Sequence, residues 1–229
     1  MLNMKKLLFP LIALFVWNTT AFAQAPAAPA EKSDPQAKKV LDKIRKKYES
    51  YKTMEATFAL TIELPQQPKE VQKGTVGQDG DKFRLDMDDQ VIVNDTKTTW
   101  VYLKRNNEVQ INNSEPMGSD NGFLTPKELL NRYQKGDFVY AITDKTTESG
   151  KVLTQIEFKP KDKKSEYSKL RVAIDEKTGT IQSVKAFGKD GARYTFLVSR
   201  LSPNKKFTPD HFTFDAKKYP GVKVEDLRM

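Results

Sequence analysis

Hydrophobic and polar positions alternate most plainly between Lys82 and Asn113. Phe83, Leu85 and Met87 alternate with Arg84 and Asp86. The turn-rich run Asn94-Asp95-Thr96-Lys97 leads into Thr98 to Lys104, which is apolar on both faces, and Glu108 to Asn113 follows. Short period-two segments joined by tight turns predict an antiparallel meander of four strands. The same period appears upstream. Phe58, Leu60, Ile62 and Leu64 share one face from Thr57 on, and Glu70 to Val76 returns toward the turn Asp79-Gly80-Asp81.

Two stretches carry a helical period instead. Asp34-Pro35 combines an N-cap residue with a proline at the first helical position. Val40, Leu41, Ile44, Tyr48 and Tyr51 then form one stripe, with lysines and Arg45 on the other face. Thr125-Pro126-Lys127-Glu128 starts a shorter helix with a capping box, and Leu129, Leu130 and Tyr133 recur before Gly136 stops it. Phe138 to Thr143, Lys151 to Lys159, Leu170 to Ile174, Thr180 to Phe187 and Arg193 to Leu201 read as strands again. The pattern predicts a mainly β (α+β) fold. It is a single curled antiparallel sheet of about ten or eleven strands, forming an incomplete barrel with a lid of helices.

The N-terminus breaks this pattern. Lys5 and Lys6 precede the apolar run Leu7 to Trp17, and Ala21-Phe22-Ala23 is a small-x-small cleavage site. This predicts a signal peptide over residues 1–23, cleaved after Ala23. An uncleaved anchor is the other reading, but the run is short for a bilayer span. Residues 24–33, rich in Ala and Pro, read as a flexible leader, and residues 34–229 as one domain.

The chain has no cysteine. An exported domain of this kind is held by its core, and nothing after the cleavage site can take a lipid anchor. The formal net charge is +9, and cleavage of the signal peptide, which removes Lys5 and Lys6, lowers it by two. Basic residues are interleaved with acids along the chain, which fits a solvated surface or a modest attraction to anionic membranes and acidic partners. Export argues against nucleic acid.

Candidate chemistry is sparse. The chain has one histidine, His211, and no nucleophile elbow around a serine. Metal sites built on nitrogen or sulfur need more ligands than that. Asp79-Gly80-Asp81 and Asp86-Met87-Asp88-Asp89 lack the ligand spacing of a calcium loop and read as turns. Gly74-Thr75-Val76-Gly77 lacks the lysine and helix of a phosphate loop. The chain is expected to be no enzyme and to need no cofactor. A curled sheet under two helices can enclose an apolar cavity or an ordinary packed core, and periodicity alone does not separate the two.

An ordered series of short matches resembles the outer-membrane lipoprotein carrier proteins, the LolA family. It comprises Met54-Glu55-Ala56-Thr57-Phe58, Lys73-Gly74-Thr75-Val76, Phe83-Arg84-Leu85-Asp86-Met87, and Asn94 to Tyr102 with its Trp100-Val101-Tyr102. Thr125-Pro126 with Leu129-Leu130, Phe158-Lys159-Pro160-Lys161, Asp175 with Gly179-Thr180-Ile181, and Phe212-Thr213-Phe214 with Pro220-Gly221-Val222 complete it. The series runs from about Val40 to Arg228.

The resemblance implies a monomeric periplasmic carrier whose hollow holds the acyl chains of lipoproteins. Its partners would be an inner-membrane ATP-binding-cassette release complex and an outer-membrane lipoprotein acceptor. A periplasmic sensor of lipids or lipoproteins with the same half-barrel is the alternative. The positions that fall on the cavity wall and lid are Ile44, Tyr48, Met54, Phe58, Phe83, Leu85, Met87, Leu129 and Leu130. One departure stands out. The family often carries an arginine in the hairpin turn before Phe83, and Gln78-Asp79-Gly80-Asp81 has none.

Overall fold

The computed structural model describes residues 32–114, 126–148 and 150–228. The signal peptide, most of the leader, and Thr125 with the loop before it lie outside the described residues, as does the Glu128 side chain.

Helix α1 (Pro35–Glu49) starts as its sequence dictates. Asp34 Oδ1 accepts the Gln36 N–H at 2.7 Å, and Pro35 fills the first turn. Lys46 and Lys47 in the last turn complement the helix dipole. Ala37, Leu41, Ile44 and Tyr48 form the buried stripe. Helix α2 (Pro126–Lys135) ends in a Schellman motif. Gly136 takes φ +79°, its N–H reaches the Tyr133 carbonyl at 3.0 Å, and the Asp137 N–H reaches that of Arg132 at 3.2 Å.

The strands are β1 (Thr53–Glu63), β2 (Glu70–Asp79), β3 (Lys82–Met87), β4 (Gln90–Asn94), β5 (Thr98–Leu103), β6 (Glu108–Asn113), β7 (Phe138–Glu148), β8 (Lys151–Pro160), β9 (Tyr167–Asp175), β10 (Thr180–Gly188), β11 (Arg193–Pro203) and β12 (Lys223–Asp226). They form one curled, unclosed sheet in the order β12-β6-β5-β4-β3-β2-β1-β11-β10-β9-β8-β7. Two meanders, β1 to β6 and β7 to β11, thus meet where β11 pairs with β1. The expected incomplete barrel with two lid helices is what the chain forms.

The strand count differs by β12, which the sequence pattern leaves out. It also runs parallel to β6, the one departure from antiparallel pairing among the described strands. All four of its residues are exposed, so it carries no alternation that a hydrophobic pattern could register.

Register assigns each residue to a face. Phe58 pairs with Gly74, Gly74 with Met87, and Val76 with Leu85, so these share the inner face, the one the helices cover. Val184, Val172 and Ile156 continue that face across β10, β9 and β8. The largest buried cluster sits there: Ala37, Leu41, Ile44 and Tyr48 of α1 and Leu129, Leu130 and Tyr133 of α2 pack on Phe138, Ile156, Phe158, Leu170, Val172, Ile174 and Ile181. The two helices therefore cover the β7–β10 half of the inner face.

The outer face has its own cover. Val91, Val93, Tyr102 and Val109 form a separate cluster joined by Trp100, Phe214, Tyr219 and Val222. Tyr102 lies 4.5 Å from the Tyr219 ring, which stacks on Phe214 at 4.7 Å. Further along, a Cβ on Gly77 would come within 2.9 Å of His211 and 3.1 Å of Phe207. The segment from Phe207 to Val222 is thus a strap across the outer side of β1 to β6. Trp100 and Tyr102, whose facing the doubly apolar strand leaves open, point to the strap and away from the interior.

Candidate apolar site on the inner face

The site begins with β1. Met54, Ala56, Phe58, Leu60 and Ile62 recur at every second residue, so an unbroken strand presents all five inward. β2 offers Gln72, Gly74, Val76 and Gln78 opposite them, and β3 adds Phe83, Leu85 and Met87. From Met54 to Leu60, with their β2 and β3 partners, the inner face carries no charged side chain; Glu70, opposite Ile62, lies at its end. A bulge in β11 opposite Thr57/Phe58 keeps Phe196 and Val198 on the same side as Leu201.

Ala56, Phe58, Leu60, Val76, Leu85, Met87, Phe196 and Val198 form one cluster, with Ile62, Ile92, Tyr194 and Leu201 packed against it. Phe58 stacks on Phe196 with centroids 4.7 Å apart. Gly74 makes that stack possible. A Cβ there would lie 2.5 Å from the Asp86 carbonyl oxygen and 2.9 Å from Phe58 Cζ.

The nine residues expected on wall and lid divide into two groups. Phe58, Leu85 and Met87 join the cluster just described. Phe83 is buried on the same face, its strand neighbours being Gln78 and Asn94. Ile44, Tyr48, Leu129 and Leu130 lie instead in the helix-covered half, and Met54 packs against that group from its edge. Leu60, Phe196 and Val198 carry the same period-two signal and join the cluster too, as does Val76, which lies between Gly74 and Gln78 where no apolar alternation marks it.

Polar contacts hold the helices in place. The Tyr48 hydroxyl accepts the Ile181 N–H at 3.1 Å, where the β9–β10 register shifts. Burial pushes its pKa up to about 12. Lys47 donates to the Thr178 carbonyl. The Tyr133 hydroxyl donates to Asp42 at 2.7 Å, so α2 is tied to α1. Lys38 holds the other side of that carboxylate at 2.6 Å and lowers its pKa.

At the far end of α2, Lys127 Nζ donates to the Gly80 carbonyl in the β2–β3 turn at 2.9 Å. Burial lowers the Lys127 pKa, and Asp81 opposes the shift. The turn without an arginine is therefore still joined to the lid, by a lysine that reaches it from the helix.

The residues weighed for chemistry make definite contacts. His211 stacks on Phe207 at 4.3 Å within the strap, and its pKa falls through burial and the nearby Arg84. Asp210 pairs with Lys218 at 2.8 Å, which holds its pKa down at about 2. Asp86 pairs with Lys104 at 2.9 Å. Among the described residues, no helix is long and apolar enough to cross a membrane.

An open half-barrel with an apolar inner wall and a helical lid defines a binding module. The match to known proteins gives its family. The family model described as "Outer membrane lipoprotein carrier protein LolA" matches residues 49–215, and the chain belongs to this family. β12 and the end of the strap lie beyond the match.

A relative from Methanocaldococcus jannaschii, an uncharacterized protein, is 29% identical over 143 residues, which cover 61% of this chain and 41% of that one. The chain therefore spans about two fifths of the length of this curated relative. A crystal structure of an uncharacterized conserved protein from Thermus thermophilus is similar at a TM-score of 0.53 and 11% identity, covering 83% of this chain and 99% of that one. A LolA superfamily protein from Nitrosomonas europaea is similar at a TM-score of 0.39 and 12% identity, over 78% and 98% of the two chains.

Proposed function

We propose that this chain is a periplasmic carrier of lipoproteins, and that the inner face from β1 to β3 and β11 receives their acyl chains. The observation behind this reading is the uncharged inner wall around Phe58, Leu85, Met87 and Phe196, beside a lid tied down by a few polar contacts. The chain takes cargo from an inner-membrane ATP-binding-cassette release complex and hands it to an outer-membrane acceptor. It acts as a soluble monomer after cleavage at Ala23, and it catalyses no reaction.

The energetics suit a carrier. Burying an acyl chain contributes about 0.8 kcal/mol per methylene, so three chains contribute roughly 30 kcal/mol gross. Parting the wall and lid contacts offsets much of this gain. Transfer then needs only a modest difference in affinity between donor, carrier and acceptor.

The test is release of a triacylated lipoprotein from proteoliposomes that hold the release complex, with ATP. A soluble one-to-one complex of carrier and cargo is the expected result. Cargo that stays in the membrane overturns the reading. Tight acyl binding without onward transfer to outer-membrane vesicles points instead to the sensing module.

A further inference from the structure

A cavity lies at the end of the barrel where α1 gives way to β1. Its volume is about 790 Å³, and Lys52, Lys82, Lys205 and Lys206 line it together with Thr53, Asp79, Asn204, Phe207 and Phe212. The lysines come from three separate parts of the chain, and backbone contacts bring them together. Asn204, in the left-handed region at φ +54°, donates its N–H to the Thr53 carbonyl at 2.7 Å. Its side-chain oxygen accepts the Lys52 N–H at 3.1 Å, and Thr53 Oγ1 donates to the Lys205 carbonyl at 2.6 Å. The start of the strap is thereby pinned beside the α1–β1 link. Lys82 enters from the β2–β3 hairpin, next to Phe83 of the inner wall.

Charge in this cavity is unbalanced. Lys205 pairs with Glu55 at 2.7 Å. Lys52, Lys82 and Lys206 form no ion pair with any described residue, and the one carboxylate lining the cavity is Asp79. Several cations elsewhere are paired, Lys104 with Asp86, Lys169 and Arg171 with Glu157, and Lys218 with Asp210, but these do not line this cavity. Three uncompensated ammonium groups around a concave surface focus a positive field. The half-buried Phe207 and buried Phe212 add apolar lining beside the lysines.

We propose that this cavity docks the carrier on an anionic bilayer by taking the phosphate of a phospholipid headgroup. Docking there presents the end of the inner wall, at Met54 and Phe83, to the membrane plane. The inference stands on the lysine cluster alone and does not depend on what the inner face carries.

The experiment is cosedimentation of the cargo-free protein with vesicles at low ionic strength. The vesicles are phosphatidylcholine with and without phosphatidylglycerol. Binding to the anionic vesicles alone is expected, falling as salt rises. Lys52→Gln/Lys82→Gln/Lys206→Gln should weaken it about a hundredfold, at about fivefold per lysine near the surface. All three side chains are exposed, so the variant should melt like the parent. Lys163→Gln/Lys164→Gln/Lys177→Gln removes the same charge from remote exposed positions and should change binding by less than about threefold.

Equal losses in the two variants, or equal binding to neutral vesicles, would overturn the proposal. Full displacement by inorganic phosphate at constant ionic strength would assign the cavity to the free ion and overturn it too. Lysine-dependent binding of polyglutamate without vesicle binding would assign it to an acidic protein, with the same consequence. Uptake of a fluorescent fatty acid, measured in parallel, should be unchanged in the cavity variant and reports separately on the inner face.

Discussion

The Tyr133 hydroxyl donates to Asp42 at 2.7 Å and makes α1 and α2 one lid. Lys38 completes the arrangement by pairing with the same carboxylate one helical turn away. Tyr133→Phe removes the bond and keeps the ring, which packs edge-on against Tyr140 at 5.2 Å. The expected loss is about 1 kcal/mol, read as a drop of about 2–4 °C in Tm. Asp42→Asn in the same background should add less than it does alone, because the two residues act as a pair.

Acid should weaken the lid. Lys38 lowers the Asp42 pKa, and the Gln36 N–H lowers that of Asp34. A depressed folded pKa contributes stability above the unfolded value of about 3.9. That contribution is lost as pH falls through the lowered folded value. Urea midpoints followed from pH 6 to pH 2 should decline below about pH 4, and Asp42→Asn should flatten the decline.

The glycines opposite Phe58 and His211 should respond differently to substitution. Gly74→Ala forces a Cβ to 2.5 Å from the Asp86 carbonyl, a backbone atom that cannot move without shifting β3. A loss of about 1–3 kcal/mol is expected. Gly77→Ala meets only side chains, His211 and Phe207. Those rings can turn aside, so its cost should be smaller, with the change concentrated in the NMR shifts of the strap.

Lys127 tests the tie between lid and barrel. Lys127→Ala removes the donor to the Gly80 carbonyl while Leu129 and Leu130 stay buried. Global stability should change by no more than about 1 kcal/mol. Amide exchange across Leu129 to Lys135 should quicken about fivefold, and unchanged exchange would remove any role for this contact in holding the lid.

Much of the architecture is legible in the sequence. Phe83, Leu85 and Met87 alternate because one strand face is dry and the other wet, and that contrast sets both strand and facing. Asp34-Pro35 and Gly136 mark helix ends because caps and left-handed turns depend on one or two residues. Trp100 and Tyr102 were ambiguous for an equally physical reason. Their strand is apolar at consecutive positions, so alternation vanishes, and facing follows from the strap that packs on the outer side.

Local patterning by itself determined the helices, the two meanders and the apolar side of β1, because each follows from periodicity within a short window. Tertiary structure decided the rest. It placed both helices over β7–β10, turned Phe214 and Tyr219 onto the outer face, and set β12 parallel to β6. It also reached the β2–β3 turn with Lys127 and gathered Lys52, Lys82 and Lys206 around one cavity. These relations join residues far apart in the chain, and no local preference records which distant partner a lysine or a ring will meet.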